Sequence, residues 1–149
     1  MPTVTPDDFA AGGWFKVTLD LGDLKEEAHF QEIGGLNVYI DQCVVQEGGR
    51  NTNPVVLPGP ARYEPIVLRR GTTKSKAFFN WIASAVTRDV KRTSGKIALC
   101  SRDGNPIMEW TFERGWPCRW SGPKLDSRNP AYLALEEVEI AHEGLKLQA

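Results

Sequence analysis

The chain has 149 residues, with 18 Lys plus Arg against 19 Asp plus Glu and a formal net charge of −1. That length suits one compact domain, which at this mass should expose ~7,600 Å² of surface once folded. Hydrophobic residues at 41% and charged residues at 25% fit a globular protein, and the balanced charge argues against sequence-independent nucleic-acid binding, which draws on a basic surplus.

Residues 1–13 hold two prolines and Gly12-Gly13 and read as a flexible N-terminal arm. The first stretch, Met1 to Asp8, has acidic residues and no basic region ahead of an apolar run, so it does not read as a secretory signal. Any export is therefore expected to take a route other than the general signal-peptide one. No apolar run approaches the ~20 residues that span a bilayer, and no direct membrane insertion is expected.

Phe15, Val17 and Leu19 alternate with Lys16, Thr18 and Asp20, which predicts a strand with one buried face, closed by a turn at Gly22-Asp23. Leu36, Val38 and Ile40 alternate in the same way. The pattern then blurs at Cys43-Val44-Val45, apolar on both faces: either a bulge shifts the phase or both faces are covered. Gly48 to Tyr63 holds three glycines and three prolines without periodicity and reads as a long loop, a length that is commonly functional. Ile66 and Leu68 mark a strand that ends at Gly71.

Phe78, Trp81, Ile82, Ala85 and Val86 fall at i, i+3, i+4, i+7 and i+8, predicting a helix with an apolar stripe, capped by Thr73 or Ser75. Lys96 to Glu113 reads as a hairpin around Asp103-Gly104, with Met108, Trp110 and Phe112 on its apolar face. Trp116, Cys118 and Trp120 continue the alternation in a next strand, up to Gly122-Pro123. Tyr132 to Leu145 supports two readings, a strand whose phase reverses between Leu135 and Val138, or a helix through Leu135, Val138, His142 and Leu145. The expected core is Phe15, Val17, Leu19, Phe78, Trp81, Ile82, Trp110, Phe112, Trp116 and Trp120.

Chemistry-bearing motifs are not found. Lys74-Ser75 lacks the glycine spacing of a phosphate loop, and His142-Glu143 has no second histidine four residues on, so no metal site and no cofactor are expected. There is no Gly-x-Ser-x-Gly elbow, and no catalytic residue is assigned. Glu137 and Glu139 would share one exposed strand face, as surface or channel charges rather than an acid–base pair. Cys43, Cys100 and Cys118 are too far apart for a Cys-x-x-Cys pair and are expected as reduced thiols filling core positions.

The order Glu47-Gly48-Gly49-Arg50-Asn51, Leu57-Pro58-Gly59, Tyr63 and Ile66-Val67-Leu68-Arg69-Arg70-Gly71 resembles the signature of the contractile tail tube family. The resemblance continues through the aromatic helix at Trp81, Trp116-Pro117, Ser121-Gly122-Pro123, Leu125 and the closing Glu139–Leu145, and so covers about residues 14 to 147. Val55-Val56 and Pro60 stand where the family often has basic residues, and the turn at Asn129-Pro130-Ala131-Tyr132 is longer than usual.

The resemblance implies a mainly β fold, a β-sandwich or half-barrel of two antiparallel sheets with one flanking α-helix. It implies one domain over 14–149 with an extended assembly loop at 48–64, and it makes the final segment a strand. It also implies a structural, non-enzymatic subunit of a phage tail or phage-like injection particle, in which hexameric rings stack into a hollow tube. Expected partners are further copies of the chain, a sheath protein, baseplate or tube-initiator proteins, spike and terminator or cap proteins, and effector cargo or phage DNA in the lumen. The expected ring-stacking contacts are Gly48, Gly49, Arg50, Asn51, Val55, Val56, Leu57, Pro58, Gly59 and Tyr63, with Cys43, Val44 and Val45 as candidate inter-subunit strand contacts. Alternatives are a tube-initiator or baseplate copy, a type VI secretion tube subunit, and, from another class, a small ligand-binding β-barrel.

Overall fold

In the computed structural model, residues 14–21, 24–46, 48–49, 52–71, 76–129 and 134–148 are described, with backbone alone for 14, 20–21 and 24–29. The expected N-terminal arm, the Gly22-Asp23 turn and the helix caps Thr73 and Ser75 lie outside these residues.

The spine of the fold is one long strand, β8 (Pro106–Ser121). Its first half pairs antiparallel with β7 (Thr93–Cys100) and with β10 (Gly144–Gln148), and its second half with β9 (Leu135–Ala141). The residue pattern predicts two strands here. The division point is real as a bend: Arg114 has φ 53, and the strand passes from one sheet to the other there. Beyond β7 lie β1 (Trp14–Leu21) and β2 (Leu24–Phe30); beyond β9 lie β6 (Ile66–Gly71) and β3 (Glu32–Gly34). The strand order β2-β1-β7-β8-β9-β6-β3 therefore ends on two strands that are consecutive in the chain. Gln31 joins them, its N–H donating to Arg69 O at 2.9 Å, so the two antiparallel sheets curl toward each other.

Inside lie Val17, Leu19, Phe30, Ile66, Leu68, Ile97, Phe112, Val138 and Ile140, with Phe78 and Trp81 from α1 (Ala77–Val86) closing one side. Among the expected core residues, Val17, Leu19, Phe78, Trp81 and Phe112 are buried, while Phe15, Ile82, Trp110, Trp116 and Trp120 are half-buried. Phe112 fills the space left by two glycines. A Cβ on Gly95 would stand 2.2 Å from its Cζ, and one on Gly115 2.5 Å from its Cε2. The helix ends in a Schellman turn: Asp89 N donates to Ser84 O at 3.1 Å and Arg88 N to Ala85 O at 3.1 Å, with Arg88 at φ 64. Val86, on the expected apolar stripe, is exposed in the last helical position.

Other expectations need correction. The segment read as a loop, 48–63, contains a nine-residue strand, β5 (Val55–Tyr63), paired with β4 (Val38–Val45) in a two-stranded sheet of its own. Pro58, Gly59 and Pro60 hid it, because such residues are depleted in strands except at edges and bulges. Val38 and Ile40 do not face a core; they belong to this hairpin and are exposed. The closing segment is two strands, β9 and β10, turned at His142-Glu143, rather than one. Of the cysteines, Cys100 is buried, but Cys43 is exposed on the hairpin and Cys118 is exposed at a bulge in β8. The accessible surface is 10,844 Å², well above the expected ~7,600 Å². The hairpin, exposed on both faces, contributes to that excess.

Candidate functional site

Among the described residues, the β4–β5 hairpin pairs with no strand of the two curled sheets. Its register runs from Val38↔Tyr63 at the root to Val45↔Val55 near the tip. Between Ile40↔Ala61 and Gln42↔Pro58, Asp41 is opposed by two residues, Gly59 and Pro60, which is a β-bulge. Gly59 is required there, because a Cβ at this position would lie 2.9 Å from Asp41 O. The Asp41 carboxylate accepts from Arg62 Nε at 2.7 Å across the bulge, and this hydrogen bond pushes the Arg62 guanidinium pKa up. A bulge thus lies near Cys43-Val44-Val45, opposite Asp41 and with its extra residue on β5, so the alternation within β4 itself is unbroken.

Past the bulge both faces are apolar. Gln42, Pro58, Val44 and Val56 share one, and Cys43, Leu57, Val45 and Val55 share the other. Val44 is 59% exposed, Val56 54% and Leu57 47%. Gly48 and Gly49 form the exposed turn, with Gly49 at φ +96, a conformation that favours glycine. Arg50 and Asn51 lie outside the described residues. The hairpin thus gathers Cys43, Val44, Val45, Gly48, Gly49, Val55, Val56, Leu57, Pro58, Gly59 and Tyr63 on one element. Tyr63 is at the root, half-buried, its ring 5.4 Å from that of His142.

Glu137 and Glu139 are elsewhere, on the outer face of β9. Glu137 accepts from Arg69 Nε at 2.5 Å, Arg69 also reaches Glu32 at 3.3 Å, and Glu139 lies 3.8 Å from Arg119. Glu32, Arg69 and Glu137 make a cross-strand row of alternating charge over β3, β6 and β9, and Glu139 with Arg119 of β8 makes a separate pair in the next row. The Glu137 hydrogen bond is the largest cause raising the Arg69 pKa.

Sequence reasoning missed Val38, Tyr39 and Ile40 as part of the exposed surface, and it missed the root residues Asn37, Glu64 and His142. The signal for the first group was present: the apolar run from Val38 to Val45 includes residues of both parities, which a one-sided strand does not need. The root had no sequence signal, since its contacts join positions 27 to 78 residues apart.

Among the described residues no cluster of three His, Cys, Asp or Glu could hold a metal, and no helix is long and apolar enough to cross a membrane. The space lined by Phe30, Leu68, Arg70, Phe78, Trp120, Glu136 and Val138 admits no water, ≈ 0 Å³, so the interior beneath α1 is filled by side chains.

The fold matches solved structures along nearly its whole length. A chain of the anti-feeding prophage baseplate shares 20% identity and a TM-score of 0.79, covering 100% of this chain and 97% of that one. A chain of the sheath–tube complex of PVC, an extracellular contractile injection system, in its extended state, shares 23% identity and a TM-score of 0.79, covering 99% of each. Hcp1 from Flavobacterium johnsoniae is more distant, at 18% identity and a TM-score of 0.55, covering 91% of this chain and 94% of its own. A search of curated protein sequences returns no match. The family model for the T4-like virus tail tube protein gp19 matches residues 13–146. With that match over almost the entire chain, and with a fold shared with tubes of contractile injection systems, this protein belongs to the T4 gp19 tail tube family.

Proposed function

We propose that six copies close into a ring and that the rings stack through the β4–β5 hairpin into a hollow inner tube. The observation that carries this reading is the hairpin itself, two-stranded, apolar on both faces beyond the bulge, and without a partner strand among the described residues. An isolated two-stranded hairpin is marginal in water, and an exposed apolar edge invites aggregation, so covering by another copy stabilises what the monomer leaves open. Head-to-tail contacts of this kind build rings and filaments. The baseplate neighbour comes from a 6-fold symmetrised particle, in keeping with a hexameric ring.

In this reading the tube lies inside a sheath and meets baseplate or initiator proteins below, with a spike, and terminator or cap proteins at the end. It conducts effector cargo or DNA. Gly48 to Gly59 make the inter-ring contact, and Glu137 and Glu139 are lumen or outer-surface charges. The protein is a structural subunit without catalysis, assembled in the cytoplasm as part of a virion or injection particle. A tube-initiator copy is the second reading, favoured by the likeness to a baseplate chain.

Deleting residues 50–58 separates folding from assembly. The curled sheets should remain folded by circular dichroism, because the hairpin pairs with none of their strands, while stacked tubes should be lost in electron micrographs. Normal tubes from the deletion overturn the proposal.

A further inference from the structure

His142 lies in the turn between β9 and β10, and its ring faces two carbonyl oxygens. Nδ1 is 3.1 Å from Gly144 O, and Nε2 is 3.0 Å from Glu64 O. A carbonyl oxygen only accepts, and neutral imidazole has a single N–H. The neutral ring can therefore make one of these bonds and must point a lone pair at the other oxygen. The imidazolium donates both.

Glu64 is the root of the hairpin. Its N–H donates to Asn37 O at 3.3 Å, and its carboxylate accepts from Asn37 Nδ2 at 2.7 Å, fastening the two ends of the hairpin together. The His142 bond then fastens that joint to the β9–β10 turn. The surrounding charges are spoken for. Besides Glu64 on Asn37, Glu143 is held by Arg92 at 2.6 Å and Arg114 at 2.8 Å, and Glu113 on β8 pairs with Lys146 on β10 at 2.9 Å. The other ring neighbours are Tyr63 on β5 and Phe112 on β8, both tilted, with centroids 5.4 Å and 6.1 Å away.

We infer that His142 is a proton-dependent clamp that sets how firmly the β4–β5 hairpin is held to the body of the subunit. Protonated, it ties Glu64 at the hairpin root to Gly144 on β10; neutral, it releases one of the two carbonyls. His142 is a positioning residue acting through Glu64. The sign follows from the donors: with both ring nitrogens protonated the clamp is complete, and with one proton gone it is not, so protection at the root falls as pH rises. Its effect on ring stacking rests on the hairpin being the stacking arm. The clamp itself does not, and it can be read on the chain whether or not tubes form.

The test is amide hydrogen exchange by mass spectrometry on the purified full chain between pH 5.5 and 8, corrected for the intrinsic chemical rate at each pH. Peptides covering 35–41 and 60–66 should lose protection by on the order of tenfold at pH 8, the scale of one charge-assisted hydrogen bond. His142→Gln, which has no titrating ring, should show a profile flat with pH. His29→Gln should keep the wild-type profile. A flat wild-type profile, a loss of protection spread evenly over β1, β7 and α1, or pH dependence surviving in His142→Gln overturns the clamp. Should His142→Gln not fold, the wild-type and His29→Gln profiles decide alone: dependence confined to the two root peptides supports the clamp, and any other pattern overturns it.

Discussion

Arg70 is a charged side chain in the interior of the fold. It points inward from β6, 4% exposed, with its Nε on Glu136 of β9 and its guanidinium 4.4 Å over the Phe78 ring of α1 and 5.6 Å from the Phe30 ring. Both partners of the ion pair are sheltered, with side chains 5% and 12% exposed. Removing one partner of such a sheltered pair takes away the opposite charge it faces, which costs about 3–5 kcal/mol. Replacing both ends by apolar groups of similar volume removes that penalty. Arg70→Met and Glu136→Leu should therefore each destabilise by about 3–5 kcal/mol, lowering the melting temperature by about 6–20 °C for a chain of this size. The double variant fills a site lined by Phe30, Leu68, Phe78, Trp120 and Val138 and should return to within about 2 kcal/mol of the parent. Urea unfolding followed by tryptophan fluorescence measures all four proteins as a double-mutant cycle. Additive losses in the double variant, or single losses below about 1 kcal/mol, would refute the buried-pair reasoning.

Three further outcomes follow from single sites. Gly95→Ala puts a Cβ 2.2 Å from Phe112 Cζ and 3.0 Å from Leu19 Cδ2, so it should cost about 1–3 kcal/mol in the same unfolding assay; an unchanged midpoint would contradict the packing. Arg88→Gly relieves a left-handed residue at the end of α1 and should stabilise by about 0.5–1 kcal/mol, whereas a loss of stability would speak against strain there. Burial first, and then the Glu139 charge, push the Cys118 thiol pKa up, so fewer thiolates form at pH 8. Iodoacetamide should label it more slowly than Cys43 at pH 8, with the gap narrowing as pH rises; equal rates at pH 8 would contradict this.

Much of the fold was legible because one-sided burial writes a period of two. Val17 and Leu19, and Ile66 and Leu68, alternate with outward residues and are buried in the structure. Asp103-Gly104 marked the β7–β8 turn, and the spacing of Phe78 and Trp81 marked α1. What escaped has physical reasons. β2 reads Leu-Lys-Glu-Glu-Ala-His-Phe, a charged composition suited to an edge strand but indistinguishable from a surface helix by pattern. β5 carries Pro58 and Pro60, tolerated because the strand pairs on one side only and bulges between them. The exposed site was half legible. The two-faced apolar run at Cys43–Val45 was visible as an oddity, yet its hydrogen-bonded partner at Val55–Leu57 lies across a turn that looked like a long loop. The root joining Asn37, Glu64 and His142 depends on contacts between distant positions, and no local pattern encodes it.

In a stacked tube, the hairpin of one subunit should be covered by another. The most direct measurement is electron cryomicroscopy of assemblies formed by the full chain. Rings should stack at a fixed diameter, with Val44, Val56 and Leu57 buried against the adjacent ring. An ordered tube in which those three side chains face solvent would contradict it.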